Sequence, residues 1–300
     1  MQNRNVDIIG VQMDLGASKR GVCMGPMAIR LGGLCEGLEQ LEYTVEDKGD
    51  IIPPPRGDSS DTLRNFEQVI SVNSQLYSHV RDSLNHGHIP VVLGGDHSIA
   101  AGSIAAVSKH YAEQGGIGIV WIDAHGDWNN EEISPSGNMH GMPFSAVCGY
   151  GPDCMVDFGQ GPAYVDVSHC VQIGGRDIDS RERVRMKEAG VTVFPINLID
   201  KLGMNVVIER AIEIAGNGTA GIHLSFDVDA ITPESAPGTG TVVHSGLTVR
   251  EAFLAVETLA DSGKLLSIDM VEVNPILDEK NKTGILASEL IQSALGKAVY

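Results

Sequence analysis

The residues best suited to chemistry in this chain follow an apolar run at positions 117–122. They are Asp123, His125 and Asp127, and their spacing of two residues places all three side chains on one face of an extended backbone. Two carboxylates and one imidazole in this arrangement resemble half of a metal site. Such groups at the end of a buried strand are costly unless a partner satisfies them. The stretch therefore predicts a metal-binding site.

Polar residues close three further apolar runs, and these positions could supply the other half of the site. They are Asp96 and His97, Asp227 and Asp229, and Glu272. Carboxylate and imidazole groups without cysteine favour Mn²⁺ or a similar divalent ion over a thiolate zinc site. Two histidines and four aspartates can hold two ions if some carboxylates bridge, and such a pair makes hydroxide available near neutral pH. The pattern thus indicates a hydrolase.

The elements that must position these residues are short apolar runs that alternate with helical patterns. This alternation predicts an α/β fold with a mostly parallel central sheet and helices on both faces. No linker or repeat interrupts residues 1–300, so we expect a single domain. One helix is expected over 25–41, and another from a cap at Asp61 to about Leu84. In such sheets ligands bind at the carboxyl ends of the strands, where the polar residues lie.

The composition restricts the partners that this chain can bind. It has 21 basic and 39 acidic residues, and its net charge of −18 argues against nucleic acid and anionic membrane surfaces. An acidic surface suits a small cationic substrate instead. The five cysteines include no CxxC pair, the N-terminus lacks a signal peptide, and no apolar run is long enough to span a membrane. We therefore expect a cytoplasmic location.

Two classes of hydrolase remain open on these residues alone. Metallophosphoesterases also combine an Asp-x-His opening with paired metals, but they usually need further histidine-rich segments, and basic groups for a phosphate are sparse here. The second class acts on a cationic group, and Glu272 is the carboxylate that would receive it. The acidic balance of the chain favours the second class.

Six motifs narrow this interpretation. The chain resembles the ureohydrolase family, and within it the arginases, in GGDHS (94–98), DAHGD (123–127), SGNMHGMP (136–143), SFDVD (225–229), APGTGT (236–241) and EVNP (272–275). The resemblance covers nearly the whole chain, and RDID (176–179) and SGN-x-HG are its more specific parts. It implies one catalytic domain that hydrolyses the guanidinium group of L-arginine to L-ornithine and urea. It also implies a homo-oligomer, either a trimer or a hexamer.

By this resemblance the chain would bind two Mn²⁺ ions, although other divalent metals would also suit the ligands. One ion would be held by His97, Asp123, Asp127 and Asp227, and the other by Asp123, His125, Asp227 and Asp229. Asp123 and Asp227 would bridge the two ions, together with a hydroxide that attacks the guanidinium carbon.

The resemblance also implies roles around the substrate. Asp127 would steer the hydroxide and pass a proton to the leaving amine, His140 would shuttle protons, and Glu272 would pair with the guanidinium. The positions that match those holding the α-carboxylate of an amino acid are Asn129, Ser134, Ser136 and Asn138. Those placed near the α-amino group or near the site are Asp179, Glu182 and Thr241.

Three places depart from the usual family pattern. Thr232 replaces an acidic residue, the triplet from His244 to Gly246 stands where Val-Gly-Gly is more usual, and Trp128 replaces a smaller apolar residue. These changes could alter the metal preference or the substrate, but they remove no ligand. The alternatives are therefore another guanidino substrate (agmatine, guanidinobutyrate or hydroxyarginine) or a non-catalytic metal-binding paralogue.

Overall fold

The apolar runs of the sequence form one sheet. In the computed structural model, which describes residues 5–57, 63–159 and 161–298, the sheet has eight strands: β1 (Asn5–Val11), β2 (Thr44–Ile51), β3 (Ile89–Leu93), β4 (Gly118–Ile122), β5 (Cys170–Ile173), β6 (Thr192–Phe194), β7 (Ile222–Asp227) and β8 (Leu265–Val271). Their order is β2-β1-β3-β8-β7-β4-β5-β6, and every neighbouring pair is parallel. The predicted α/β class is confirmed, with a sheet that is entirely rather than mostly parallel.

Helices cover both faces of the sheet. The described ranges contain α1 (Gly25–Leu31), α2 (Leu34–Gln40), α3 (Phe66–Asn85), α4 (Ala100–Tyr111), α5 (Pro143–Val147), α6 (Ser180–Ala189), α7 (Ile196–Leu202), α8 (Met204–Ala215), α9 (Val249–Asp261) and α10 (Lys282–Ala294). One apolar layer packs α1, α2 and α7 to α10 against the sheet, and the opposite layer packs α3 to α6. Successive strand residues such as Val120 and Trp121 belong to opposite layers. The strands are therefore continuous apolar runs, as a parallel sheet buried on both faces requires.

The observed helices differ from the predicted ones in three places. The helix expected over 25–41 is divided, because Gly33 between α1 and α2 adopts a left-handed backbone with φ 83°. The helix α3 begins at Phe66, and its predicted cap, Asp61, lies outside the described residues. The helix α7 is not predicted by the apolar pattern. Within the described part of the chain, no helix combines the length and the apolar character needed to cross a membrane.

The last strand of the chain lies near the centre of the sheet. β8 pairs with β3 on one side and with β7 on the other, and β7 pairs with β4. The carboxyl ends of these four strands are therefore neighbours. His97, Glu272, Asp227 and Asp123 lie at or just beyond those ends. The topology thus brings into contact residues as far apart in sequence as His97 and Glu272, which are 175 positions from each other.

Candidate metal centre and active site

His97 stands at the centre of a first cluster of carboxylates. Its Nδ1 atom lies 3.0 Å from Asp127 Oδ2, 3.2 Å from Asp123 Oδ2 and 3.4 Å from Asp227 Oδ2. The histidine follows β3 in a short 3₁₀ turn, in which the carboxylate of Asp96 accepts the N–H of Ser98. All of these side chains are buried. Local capping and the sheet topology therefore fix the histidine against three acidic groups.

His125 forms a second cluster on the other side of Asp123. His125 Nδ1 lies 3.0 Å from Asp229 Oδ2 and 3.4 Å from Asp123 Oδ1. Asp123 thus offers one oxygen to each cluster. Ligand atoms of His97, Asp123 and Asp227 lie within 4.8 Å of one another, and so do those of Asp123, His125 and Asp229. The side chain of His125 is 25% exposed, whereas Asp123 and Asp229 are fully enclosed. Two clusters that share a carboxylate could hold one or two adjacent ions.

The chemistry of the donor set fits a divalent cation. His97 Nδ1 is buried among three carboxylates, yet it has no hydrogen-bond partner of acceptable geometry. Its other nitrogen, Nε2, lies 2.8 Å from Ser225 Oγ. With Nε2 donating to that hydroxyl, Nδ1 carries the lone pair that a metal ligand needs. Buried carboxylates outnumber imidazoles in the clusters, so a bound cation would balance their charge.

Crowding of the acidic groups changes the pKa values of the carboxyls. Burial, with the charges of Asp229 and Asp123, raises the pKa of Asp227 well above its ordinary value. Burial and the charge of Asp123 raise the pKa of Asp127 to about 6. Burial would also raise the pKa of Asp123, but the adjacent imidazoles of His125 and His97 outweigh it and lower that pKa. A bound cation would favour the ionised form of every one of these carboxyls.

A column of aromatic rings supports the clusters from the core. His97 stacks on Trp121 with ring centroids 4.1 Å apart, and Trp121 stacks on Phe144 at 4.6 Å. Trp121 Nε1 also donates a hydrogen bond of 2.9 Å to Asp123 Oδ2. Trp128, one of the departures from the family pattern, meets Phe144 edge-on at 4.9 Å and is fully buried. This tryptophan therefore belongs to the packing beneath the site.

Two of the site carboxylates stand on strained backbone. Asp127 has φ 46° and Glu272 has φ 64°, in the left-handed region that side chains other than glycine rarely adopt. Neighbouring backbone holds both: the carbonyl of Asp127 accepts the N–H of Ser145 at 3.3 Å, and the N–H of Glu272 donates to Gly95 O at 2.9 Å. Strain of this kind, about 1–3 kcal/mol per residue, is concentrated at functional sites.

Glu272 and His140 form a hydrogen-bonded pair beside the clusters. Glu272 Oε1 lies 3.1 Å from His140 Nδ1 and accepts the backbone N–H of His97 at 2.9 Å. The carboxylate side chain is 2% exposed and the imidazole 18% exposed. Burial would lower the pKa of His140, but the hydrogen bond and charge of Glu272 outweigh it and raise that pKa to about 9. A protonated imidazole here could give a proton to a bound molecule.

An open cavity of about 160 Å³ leads to these groups. Its wall contains eleven of the predicted site residues: His125, Asp127, Asn129, Ser134, Ser136, Asn138, His140, Asp179, Glu182, Asp227 and Thr241. The other four are buried, and each contacts a wall residue: His97, Asp123, Asp229 and Glu272. The structure thus brings all of the predicted site residues into one region.

The wall of the cavity has a neutral segment and an acidic segment. The neutral segment consists of the amides and hydroxyls of Asn129, Ser134, Ser136 and Asn138. Ser134 Oγ accepts the N–H of Gly137 at 3.0 Å and Ser136 Oγ accepts that of Asn138 at 3.2 Å, which fixes the loop. The acidic segment, at the start of α6, contains Asp177, Asp179 and Glu182. The amides and hydroxyls of the neutral segment could bind a negative group of a ligand, and the acidic segment could bind a positive group of the same ligand.

Glu182 has a structural contact that its predicted role does not include. Its Oε1 accepts the backbone N–H of Trp128 at 2.7 Å, and its Oε2 accepts that of Asp179 at 3.1 Å. Burial raises the pKa of Glu182 to about 8 in spite of these two N–H groups. The side chain therefore fixes Asp179 and the loop after β4 relative to each other, in addition to any contact with a ligand.

Sequence reasoning missed Arg176 and Asp177. Asp177 lines the cavity, and Arg176 donates hydrogen bonds to the carbonyls of Asp229 at 2.7 Å and Val243 at 2.8 Å. Arg176 thereby holds the loop after β7, which carries Asp229. The RDID stretch contained a signal, because it places charged side chains just after the end of β5.

The loop after β7 also carries the other two departures from the family pattern. Thr232 donates a hydrogen bond to Glu234 on the surface, and His244 is 79% exposed. Neither side chain lines the cavity. Thr241, from the same loop, donates from Oγ1 to Asp229 Oδ2 at 2.8 Å. The contact between this loop and the clusters therefore does not involve the unusual residues.

A parallel sheet with carboxylate–histidine clusters at the ends of its central strands defines a metal-dependent hydrolase. The sequence pattern of the arginase family matches residues 4–296. The arginase of Bacillus caldovelox is 45% identical over 97% of this chain and 98% of its own length, and that of Bacillus subtilis strain 168 is 44% identical over 98% and 99%. The solved structure of the Bacillus caldovelox arginase has a TM-score of 0.95 at 43% identity, covering 99% of this chain and 100% of that one. The chain belongs to the arginase family, which confirms the resemblance seen in its motifs.

Proposed function

We propose that this chain hydrolyses the guanidinium group of L-arginine to L-ornithine and urea. The observation that carries the proposal is one cavity whose wall joins the carboxylate–histidine clusters to both the neutral and the acidic segment. The clusters alone would suit many hydrolases, whereas the two segments suit the carboxylate and the ammonium group of an amino acid. The names of the relatives support the same substrate.

The proposed cofactor is a pair of Mn²⁺ ions. One would be held by His97, Asp123, Asp127 and Asp227, and the other by Asp123, His125, Asp227 and Asp229. Bound ions would lower the pKa of a shared water and supply hydroxide near neutral pH. The mixture of carboxylate and imidazole ligands without thiolate supports manganese.

Asp127 and His140 would handle the protons of the reaction. Asp127 lines the cavity and also lies 3.0 Å from His97 Nδ1, so it can reach both the nucleophile and the leaving amine. A carboxylate that contacts both the clusters and the cavity can accept a proton on one side and release it on the other. His140 lies on the cavity wall and is largely protonated at neutral pH, so it can exchange protons between the site and solvent.

Glu272 would bind the guanidinium. A guanidinium is a planar cation with several N–H donors, and a carboxylate is its natural partner. Oε1 of Glu272 already accepts the N–H of His97 and contacts His140, so Oε2 remains for the substrate. The other end of the substrate would be held by the neutral segment at the α-carboxylate, through Asn129, Ser134, Ser136 and Asn138, and by Asp179 with Glu182 at the α-amino group.

The proposal is tested by urea release from the manganese-loaded protein with L-arginine, agmatine and guanidinobutyrate compared directly. We expect a preference for arginine, and we expect Asp179→Ala to raise the KM for arginine while the metal content stays the same. The matched control is Asp200→Ala, at an exposed position on α7. A preference for a substrate without the α-amino group would contradict the arginine assignment.

We also propose that the chain forms a homo-oligomer, either a trimer or a hexamer. The support is the family resemblance together with one surface groove, which is lined by the exposed apolar side chains of Met24, Met27 and Leu31. Light scattering coupled to gel filtration checks this proposal, and a monomeric mass would contradict it. The cytoplasmic location stays a prediction from the sequence.

A further inference from the structure

Three segments of the chain meet behind the neutral side of the cavity wall. Asn138, on the wall, is hydrogen-bonded to Ser18 from the loop after β1: Ser18 Oγ lies 3.1 Å from Asn138 Oδ1 and 2.9 Å from its Nδ2. Arg64, just before α3, donates from Nη1 to the same serine oxygen at 3.0 Å. These three residues connect an exposed guanidinium to a buried amide of the wall, and we call them the Arg64 relay.

Backbone contacts tie the same segments together without the side chain of Arg64. The N–H of Arg64 donates to Gly137 O at 3.0 Å, and Asn65 Nδ2 donates to Leu15 O at 2.8 Å. Both contacts remain available whatever side chain stands at position 64. A substitution there therefore changes the charge and the contact with Ser18, whereas the loop stays anchored.

The relay places positive charge beside a cavity whose other wall segment is acidic. Among the residues that the structure describes, no carboxylate lies within ion-pair distance of Arg64. In a chain with a net charge of −18, such a cation attracts anions to its own side of the cavity. None of the wall carboxylates lies on the neutral segment: they are Asp127 and Asp227 at the clusters, and Asp177, Asp179 and Glu182 at the start of α6. The cavity therefore has the polarity of a zwitterion binding site.

We propose that Arg64 is a positioning residue that selects substrates carrying an α-carboxylate. Its guanidinium fixes Ser18, Ser18 holds the amide plane of Asn138, and hydrogen bonds in such a series strengthen one another. Its charge adds an attraction that a decarboxylated analogue does not feel. This inference rests on the proposed function, because it requires a guanidino substrate whose carboxylate meets Asn138.

The test compares the manganese-loaded wild type with Arg64→Gln, Arg64→Lys and Ser18→Ala. We expect Arg64→Gln to raise the KM for L-arginine about fivefold, which is the effect of one ordinary hydrogen bond, with kcat unchanged. Arg64→Lys keeps the charge, so its KM for L-arginine should lie between those of the wild type and Arg64→Gln. The inhibition constant of agmatine, which lacks the carboxylate, should not change in any of these variants.

The salt dependence of KM separates the effect of the charge of Arg64 from the effect of its hydrogen bond to Ser18. Raising the salt concentration should raise the KM of the wild type for arginine, because an exposed charge is screened, and should raise that of Arg64→Gln by a smaller factor. Ser18→Ala cuts the relay but keeps the charge, so its KM should rise while its salt dependence remains. The control, Lys201→Gln, changes an exposed cation on α7 and should match the wild type.

Two results would overturn the inference: an unchanged KM for arginine in Arg64→Gln, or equal losses for arginine and agmatine. The second result would indicate a general loosening of the cavity. Failure of the proposed function is distinguishable, because the wild type itself would then release no urea from L-arginine.

Discussion

Glu272→Gln is the substitution that most directly tests the chemistry of the cavity. Glutamine has the same shape as glutamate, and its amide oxygen can still accept the N–H of His97, which Glu272 Oε1 accepts at 2.9 Å. The end of β8 and the metal ligands should therefore stay in place. What disappears is the negative charge that faces His140 and, in the proposed function, the guanidinium of the substrate.

The size of the effect follows from the burial of this carboxylate. Removing one partner of a buried, hydrogen-bonded charge pair costs about 2–5 kcal/mol, which corresponds to roughly a 30- to 5,000-fold loss in kcat/KM. Glu272 is 2% exposed, but the cavity beside it is open to solvent. We therefore expect the lower part of that range, about 30- to 300-fold.

The substitution should also change how stability depends on pH. The pKa of His140 is about 9 in the folded protein, above its ordinary value of 6.5, so its interaction with Glu272 stabilises the fold fully below pH 6.5. That contribution is lost as the pH rises through 9. In Glu272→Gln the difference in stability from the wild type should therefore be largest below pH 6.5 and smallest above pH 9.

Two measurements check this reasoning: urea release at several arginine concentrations, and denaturant unfolding across the pH range. The metal content of each protein is measured alongside, and Glu279→Gln, at an exposed position after β8, is the matched control. A kcat/KM within threefold of the wild type, with metal retained, would refute the assignment of Glu272 to the guanidinium.

Three further predictions follow from the structure. Removing the metal with a chelator should lower the Tm by about 4 °C for each ion lost. An ion at 100 times its Kd adds about 2.7 kcal/mol to the free energy of unfolding, and a 300-residue chain unfolds with an entropy of about 0.6 kcal/mol/K. Calorimetry measures this change in Tm. Phe144→Leu should lower the free energy of unfolding by about 1–3 kcal/mol, because it removes ring contacts with Trp121 at 4.6 Å and Trp128 at 4.9 Å. Denaturant unfolding measures this loss, and an unchanged midpoint would contradict the stabilising role of the aromatic column. Glu182 keeps its proton in the folded protein up to about pH 8 but loses it near pH 4.5 in the unfolded chain. The stability of the wild type should therefore decrease as the pH rises from 4.5 to 8, and this decrease should be smaller in Glu182→Gln.

The ends of the strands were predictable from the sequence because two signals coincide there. A buried strand needs a continuous apolar run, and the acidic or histidine residue after it must lie at the carboxyl end of the sheet. Asp123 and Asp227 show both signals. The division between α1 and α2 was not predictable from apolar periodicity, because the apolar pattern continues past Gly33 and only its backbone conformation interrupts the helix.

The supporting residues were harder to predict because their roles depend on contacts between distant parts of the chain. Arg176 acts through carbonyls 53 and 67 positions away, and Ser18 acts through an amide 120 positions away. An arginine or serine in a loop has no local pattern that separates it from an ordinary surface residue. Glu182 gave a partial signal as a helix cap, but its contact with Trp128 required the fold.

Of the eight strands, β8 is synthesised last, yet in the folded sheet it lies between β3 and β7 and pairs with both. Until residues 265–271 leave the ribosome, a nascent chain has two separate groups of strands, β2-β1-β3 and β7-β4-β5-β6, each with an open edge. His97 follows the first group, whereas Asp123 and Asp227 belong to the second. Unfinished chains should therefore be prone to aggregate, and the ion held by His97 should bind only after synthesis is complete and the sheet has closed.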